Sequence, residues 1–242
     1  MSGIMVIPAI DLKDGKCVRL RQGKAEDSTI YSEDPVAMAL HWLKEGAKYL
    51  HVVDLDGAFQ GHPVHQDVIA QIAKALPIPV EVGGGLRTDK DIELILNCGV
   101  ARCVVGTRAW SDPGMLQSLA KQYGHALAVG IDARDGWVQV KGWTQTTKER
   151  AVDLAARADQ LGVQTIIYTD TATDGMLGGP NRTAVDAICA AVQCSVIASG
   201  GISSPGDMTA LAGLQRKNLT GAIVGKALYE GRVTLRDLAG AV

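Results

Sequence analysis

An internal repeat, more than any single motif, limits what this chain can fold into. The stretch PVEVGGGLRTDKD runs from Pro79 to Asp91, and SVIASGGISSPGD runs from Ser195 to Asp207. Each is a short apolar run, a Gly-Gly pair, an aliphatic residue, a few polar residues and an acidic residue that opens a helical pattern. The match extends in order along both halves. IDLKDG (Ile10 to Gly15) pairs with IDARDG (Ile131 to Gly136), VVDLDG (Val52 to Gly57) with IIYTDTATDG (Ile166 to Gly175), and ARCVVGTRA (Ala101 to Ala109) with TGAIVGKAL (Thr220 to Leu228). Motifs that recur in one order mark a duplicated unit, and the unit here carries four strands.

The strand candidates are IMVIPAID, YLHVVDLD, PVEVGGG, RCVVGT, ALAVGIDA, TIIYTD, SVIASGG and GAIVGK. Their hydrophobicity is continuous rather than alternating, as strands buried on both faces require. Between them lie amphipathic patterns such as DPVAMALHWLKEGA and KERAVDLAARADQLGV, with apolar residues three and four apart and Gly near the end as a helix stop. Alternating βα units argue for a parallel sheet. Two four-strand halves in 242 residues fit a closed barrel of about 250 residues better than an open doubly wound sheet. The expectation is an α/β chain forming a single (βα)8 TIM barrel over residues 1–242, with half-barrel repeats of about 1–122 and 123–242.

Composition excludes several function classes. A net charge of -2 without blocks of like charge gives no general attraction to nucleic acid or membrane surfaces, so an anionic ligand has to be held locally. Cys17, Cys98, Cys103, Cys189 and Cys194 form no C-x-x-C pair, and His41, His51, His62, His65 and His125 make no metal constellation, so no metal is expected. No P-loop or dinucleotide fingerprint appears, and no cofactor is expected. No basic leader precedes the first apolar residues and no window reaches the roughly 18 apolar residues of a membrane span, so a cytoplasmic protein is expected.

In such a barrel the chemistry sits at the C-terminal ends of the strands. Asp11 and Asp132 end equivalent strands in the two halves. A lone Asp there often caps a turn; two related by the repeat face each other across the mouth, which suits proton transfer on opposite sides of one molecule. Gly84 with Gly85, and Gly200 with Gly201, offer backbone that can approach a phosphate, and Gly106 with Thr107, and Gly225 with Lys226, complete a cradle in each half. The repeat thus predicts a ligand with two phosphates. Gly178 and Gly179 are read either as an addition to the second cradle or as a flexible loop. Trp143 is read as a lid residue that stacks on a planar ring, and Trp137 as packing. Arg19 is a candidate for a phosphate or carboxamide. Thr169, Asp170 and Asp174 cluster after the sixth strand, where Asp170 is equally well explained by loop hydrogen bonds.

IPAIDLKDGKCVRLRQG, HVVDLDGA, VEVGGGLRT, Gly142-Trp143, YTDTATDGMLGGPN and IASGGISS together resemble the phosphoribosylformimino-aminoimidazole carboxamide ribotide isomerase family of histidine biosynthesis. The resemblance covers essentially the whole chain. The related cyclase subunit of imidazole glycerol phosphate synthase shares the repeat but typically reads Cys-Leu-Asp where this chain has Ala9-Ile10-Asp11. The resemblance implies an Amadori rearrangement, an aminoaldose with a phosphate at each end being isomerised to an aminoketose. It implies Asp132 as proton donor for ring opening, Asp11 as acceptor of the C2 proton, Thr169 as a supporting residue, Trp143 stacking on the imidazole carboxamide, and Asp174 as an alternative acid. The family's Arg-Asp-Gly appears here as Thr173-Asp174-Gly175, so one loop contact of the family has no counterpart. The rival readings are an isomerase that also accepts phosphoribosyl anthranilate, and a non-catalytic phosphosugar-binding protein, which would not need both Asp11 and Asp132. A monomer whose partner is a small bisphosphorylated substrate is expected.

Overall fold

The computed structural model describes residues 3–21 and 24–242. Its strands are β1 (Met5–Lys13), β2 (Lys16–Arg21), β3 (Lys24–Ser32), β4 (Leu50–Asp54), β5 (Val80–Gly83), β6 (Arg102–Val105), β7 (Leu127–Arg134), β8 (Trp137–Val140), β9 (Gln145–Arg150), β10 (Thr165–Asp170), β11 (Ser195–Ser199) and β12 (Leu219–Val224). The helices are α1 (Pro35–Lys44), α2 (Leu55–Gln60), α3 (Gln66–Ala75), α4 (Asp89–Asn97), α5 (Thr107–Ser111), α6 (Pro113–Tyr123), α7 (Ala151–Gln160), α8 (Arg182–Ala191), α9 (Pro205–Ala212), α10 (Lys226–Tyr229) and α11 (Leu235–Ala239). Eight strands pair in parallel in the order β1, β4, β5, β6, β7, β10, β11, β12, and β12 returns to β1 with Ile7 opposite Ile223. The ring is closed and no barrel edge is left unpaired, as expected of a (βα)8 barrel.

Side-chain alternation divides the apolar residues into two cores. Ile7, Ala9, Val104, Ala128, Ile167, Ile197 and Ile223 point inward and fill the barrel. Ile10, Leu12, Leu50, Val52, Val82, Val129 and Ile166, on the other face of the same strands, pack beneath the helices. Each fully buried aliphatic contributes about 1.5–3 kcal/mol relative to exposure, and the continuous apolar runs in the sequence reflect burial on both faces.

The stretches that resemble each other in sequence also fold alike locally. The helices that follow β5 and β11 start in the same way: Thr88 and Asp91 cap each other at α4, and Ser204 and Asp207 at α9. Each exchange satisfies two orphan N–H groups, which is the physical content of the acidic residue shared by the two stretches. The first strand of each half is also followed by an Asp-Gly turn. Asp14 and Gly15 (φ 50° and 73°), like Asp135 and Gly136 (φ 53° and 78°), are left-handed, as two-residue hairpin turns require. Each turn launches an antiparallel excursion, β2–β3 from β1 and β8–β9 from β7. The segment after the fifth barrel strand, which carries Trp137 and Trp143, is therefore largely a hairpin.

Candidate active site

The ends of the barrel strands open into one pocket, whose wall includes Asp11, Asp132, Thr169, Asp174, Trp143 and Arg19. Asp11 points inward near the end of β1. Arg19, carried back over the mouth by β2, donates from Nη1 to its Oδ2 at 2.6 Å. The guanidinium lies over the Tyr229 ring, 5.7 Å from the centroid, and so close above Gly225 that a Cβ there would overlap it. Burial opposes the charge of Arg19, but the Asp11 and Asp174 carboxylates outweigh it and push its pKa upward.

Asp132 stands four strands away around the ring, on the opposite wall. Its neighbour on β10 is Thr169, in register with it. Burial raises the Asp132 pKa, while hydrogen bonds from the Trp143 indole and the Thr169 hydroxyl partly offset this. Asp174, in the loop after β10, is pushed up to about 6, first by burial and then by Asp11 and Asp132; Arg19 and Lys226 pull the other way. Strongly shifted carboxyls that converge in one cleft are what acid–base chemistry near neutral pH needs.

The β8–β9 hairpin reaches over this centre. Lys141, Gly142 and Trp143 at its tip all have positive φ (56°, 63° and 67°), an uncommon backbone for the two that are not glycine. Two contacts hold the tip down: the Lys141 N–H donates to Thr107 Oγ1 at 3.0 Å, and Gly142 sits against Phe59, which a Cβ at that position would approach to 3.2 Å. Trp143 lies on the pocket wall. Trp137 packs under Arg150, whose guanidinium is 4.6 Å from its ring centroid.

Gly84, Gly85, Gly106, Thr107, Gly200, Gly201, Gly225 and Lys226 all line the pocket. Gly106 (φ -111°, ψ -92°) and Gly225 (φ -117°, ψ -93°) have nearly the same backbone before the short helices α5 and α10. The glycine pairs have a further reason for lacking side chains. A Cβ on Gly84 would collide with the Asp54 carbonyl, one on Gly200 would lie 2.7 Å from the Asp170 carbonyl, and one on Gly201 would collide with Gly179. Close approach of the chain to itself, at positive φ, thus requires Gly there before any ligand is considered.

Gly179 is outside the pocket wall and donates its N–H to the Gly201 carbonyl at 3.0 Å, which makes it a backbone support for the second pair. Asp170 faces away from the mouth and accepts from the Ala172 N–H and Asn181 Nδ2. The residues on the wall that sequence reading did not single out are chiefly His51, Arg87, Arg108 and Lys141. Together with Arg19 and Lys226 the last three give five basic side chains at the mouth, a local positive field on a chain of net charge -2. Arg87 directly follows the first glycine motif, and that adjacency was the available signal. Among the described residues no His, Cys, Asp and Glu side chains group in a way that could hold a metal ion, and no helix is long and apolar enough to cross a membrane.

Comparison with known proteins matches this architecture. Residues 5–234 match the family model described as "Histidine biosynthesis protein". A protein of Crocosphaera subtropica is 49% identical over 237 residues, covering 98% of this chain and 92% of that one. Proteins of Acinetobacter baylyi and Cellvibrio japonicus are 47% and 46% identical over 235 residues, each covering 97% of this chain and 96% and 97% of their own length. All three are described as 1-(5-phosphoribosyl)-5-((5-phosphoribosylamino)methylideneamino) imidazole-4-carboxamide isomerases. With its closed barrel and near-complete coverage on both sides of each match, the chain belongs to the histidine-biosynthesis isomerase family.

Proposed function

We propose that the protein is, like the relatives described as imidazole-4-carboxamide isomerases, an isomerase, and that it converts an aminoaldose that carries a phosphate at each end into the corresponding aminoketose. One observation carries the reading. Three carboxyls converge from opposite walls between two symmetry-related cradles, one of them paired with a guanidinium and another raised to about 6.

In this mechanism Asp174 gives its proton to the ring oxygen as the C1–O bond breaks and the nitrogen lone pair forms the Schiff base. Asp11 then takes the C2 proton, and its electron pair becomes the C1–C2 double bond of the enolamine. Return of that proton from Asp11 to C1 and passage of the C2 hydroxyl proton to Asp174 leave the ketone and restore both carboxyls, so the net change moves one hydrogen from C2 to C1 and one from the C2 hydroxyl to the former ring oxygen. Sequence reasoning put Asp132 first as donor and Asp174 second; the proposal reverses that order. Burial raises the Asp132 pKa and the Trp143 and Thr169 hydrogen bonds offset this only in part; the reversal rests on the loop position of Asp174 and its shift to about 6, and leaves Asp132 to hold the substrate's polar end. A substrate phosphate nearby would raise the pKa of Asp174 further. Gly84, Gly85, Gly106 and Thr107, with Arg87, Arg108 and Lys141, would hold one phosphate; Gly200, Gly201, Gly225 and Lys226 the other. Arg19 must leave Gly225 as the second phosphate enters, and Trp143 would stack on the imidazole carboxamide.

The reading takes the protein as a monomer at work in the cytoplasm, where the biosynthetic substrate would be found. The test is to incubate the purified protein with the aminoaldose bisphosphate and follow conversion by absorbance, with Asp11→Asn and phosphoribosyl anthranilate run alongside. Conversion lost in the variant supports the reading, conversion of both substrates broadens it to a dual-substrate isomerase, and absence of any conversion refutes it.

A further inference from the structure

Beneath the carboxylates the barrel interior departs from its aliphatic filling. Glu81, on β5, is fully buried in the interior that Ile7, Val104, Ala128, Ile167 and Ile197 otherwise occupy. Its Oε1 is 2.7 Å from His51 Nδ1, and its Oε2 accepts from Arg102 Nε and Nη2 at 2.8 and 2.6 Å. Arg102 continues the line to Thr165 Oγ1 at 3.2 Å and lies over the Tyr49 ring. An ion pair sealed in this way is a poor device for stability, because well-packed apolar residues of similar volume often do as well or better. The surrounding interior is already built from such residues.

What the line supplies is orientation. Glu81, paired with Arg102, can only accept, so His51 carries its proton on Nδ1, and the imidazole is fixed by its partner. The ring lines the pocket, and its other nitrogen, Nε2, has no hydrogen-bond partner among the described residues. The register places His51 beside Ala9, one inward position below Asp11. Of the charged groups nearby, Glu81 bonds to the ring and Arg102 to Glu81, while Asp11, Arg19, Asp132 and Asp174 line the same pocket.

We propose that His51 is a substrate-contacting residue of the isomerisation, its Nε2 hydrogen-bonding a hydroxyl of the opened sugar, and that Glu81 and Arg102 are positioning residues acting through it. The proposal rests on the isomerase reading. Its test measures kcat and KM for the aminoaldose bisphosphate, together with urea unfolding, for wild type, His51→Gln, Glu81→Gln and the double variant. His51→Gln leaves the Glu81–Arg102 pair intact and should unfold near the wild-type urea midpoint while losing roughly ten- to hundred-fold in kcat, the worth of one strong hydrogen bond. Glu81→Gln should lose a similar factor and the double variant no more, since one residue acts through the other. A folded His51→Gln with wild-type kcat, a change confined to KM, or losses that multiply in the double variant would each overturn the proposal. Should Glu81→Gln fail to fold, Arg102→Lys takes its place in the cycle: a similar loss in kcat that does not multiply with His51→Gln supports the positioning role, and wild-type kcat overturns it. Absence of wild-type turnover sinks the isomerase reading, whereas wild-type turnover matched by His51→Gln sinks this one alone.

Discussion

Replacing Asp174 by Asn should make the protein more stable at neutral pH while removing its activity. The carboxyl is lifted from 3.8 to about 6, chiefly by burial. At about 1.36 kcal/mol per unit, a gap of roughly two units corresponds to ~3 kcal/mol. That is an upper bound, because the group opens onto the pocket and solvent screens it, so ~1–3 kcal/mol is expected. Between 3.8 and about 6 the folded protein keeps a proton that the unfolded chain has released, so stability is lost as pH rises through that window. Asn matches the shape of the protonated carboxyl and does not titrate. Urea unfolding followed by circular dichroism, on both proteins between about pH 4 and about pH 7.5, should therefore show the variant gaining ~1–3 kcal/mol on wild type across the range. Turnover of the variant should fall by on the order of 10² to 10⁴, as for loss of a general acid. A stability difference that does not change with pH would refute the idea that burial holds a proton on Asp174.

Gly84→Ala should cost several kcal/mol in thermal unfolding, because strain at φ 104° adds to collision with the Asp54 carbonyl; Gly15→Ala, at φ 73° with nothing within 4 Å, should cost only about 1–2 kcal/mol. Equal losses would show that the glycine pair is not packed as described. Ile167→Ala empties part of the barrel interior and should lose about 2–5 kcal/mol in urea unfolding. Trp143→Phe keeps a stacking ring but removes the hydrogen bond to Asp132, so kcat/KM should fall by about ten-fold and the Asp132 carboxyl should titrate higher by NMR. An unchanged Asp132 titration would count against that hydrogen bond.

The eight barrel strands could be read from the sequence because burial on both faces leaves each one apolar throughout. Asp11 and Asp132 were legible because the repeat turned two ordinary strand-end residues into a facing pair. The hairpins were not. Their Asp-Gly turns were seen as part of the repeat, but β8 and β9, WVQV and QTTKER, are too short and too polar on one face to read as strands. The His51–Glu81 contact was hidden for the opposite reason. A strand buried on both faces has no alternation to show which side a residue takes, and only the ring closure reveals that LHVVD and VEVG turn their one charged or titratable inner residue toward each other. The glycine pairs show a third limit: sequence predicts that backbone comes close to something there, but not that the something is first the chain itself.

The two hairpins divide the labour of the site in a way that the barrel alone could not. Each half presents a carboxylate on its first strand, and the ribbon that follows folds back to place one side chain upon it: a cation, Arg19, on Asp11, and a neutral donor, Trp143, on Asp132. Two carboxylates at equivalent strand positions thereby acquire unlike surroundings through ribbons that lie outside the eight-strand ring. A change at Arg19 would act first on Asp11 and a change at Trp143 first on Asp132, so the arms offer two separate places for altered specificity while the eight strands keep their pairing.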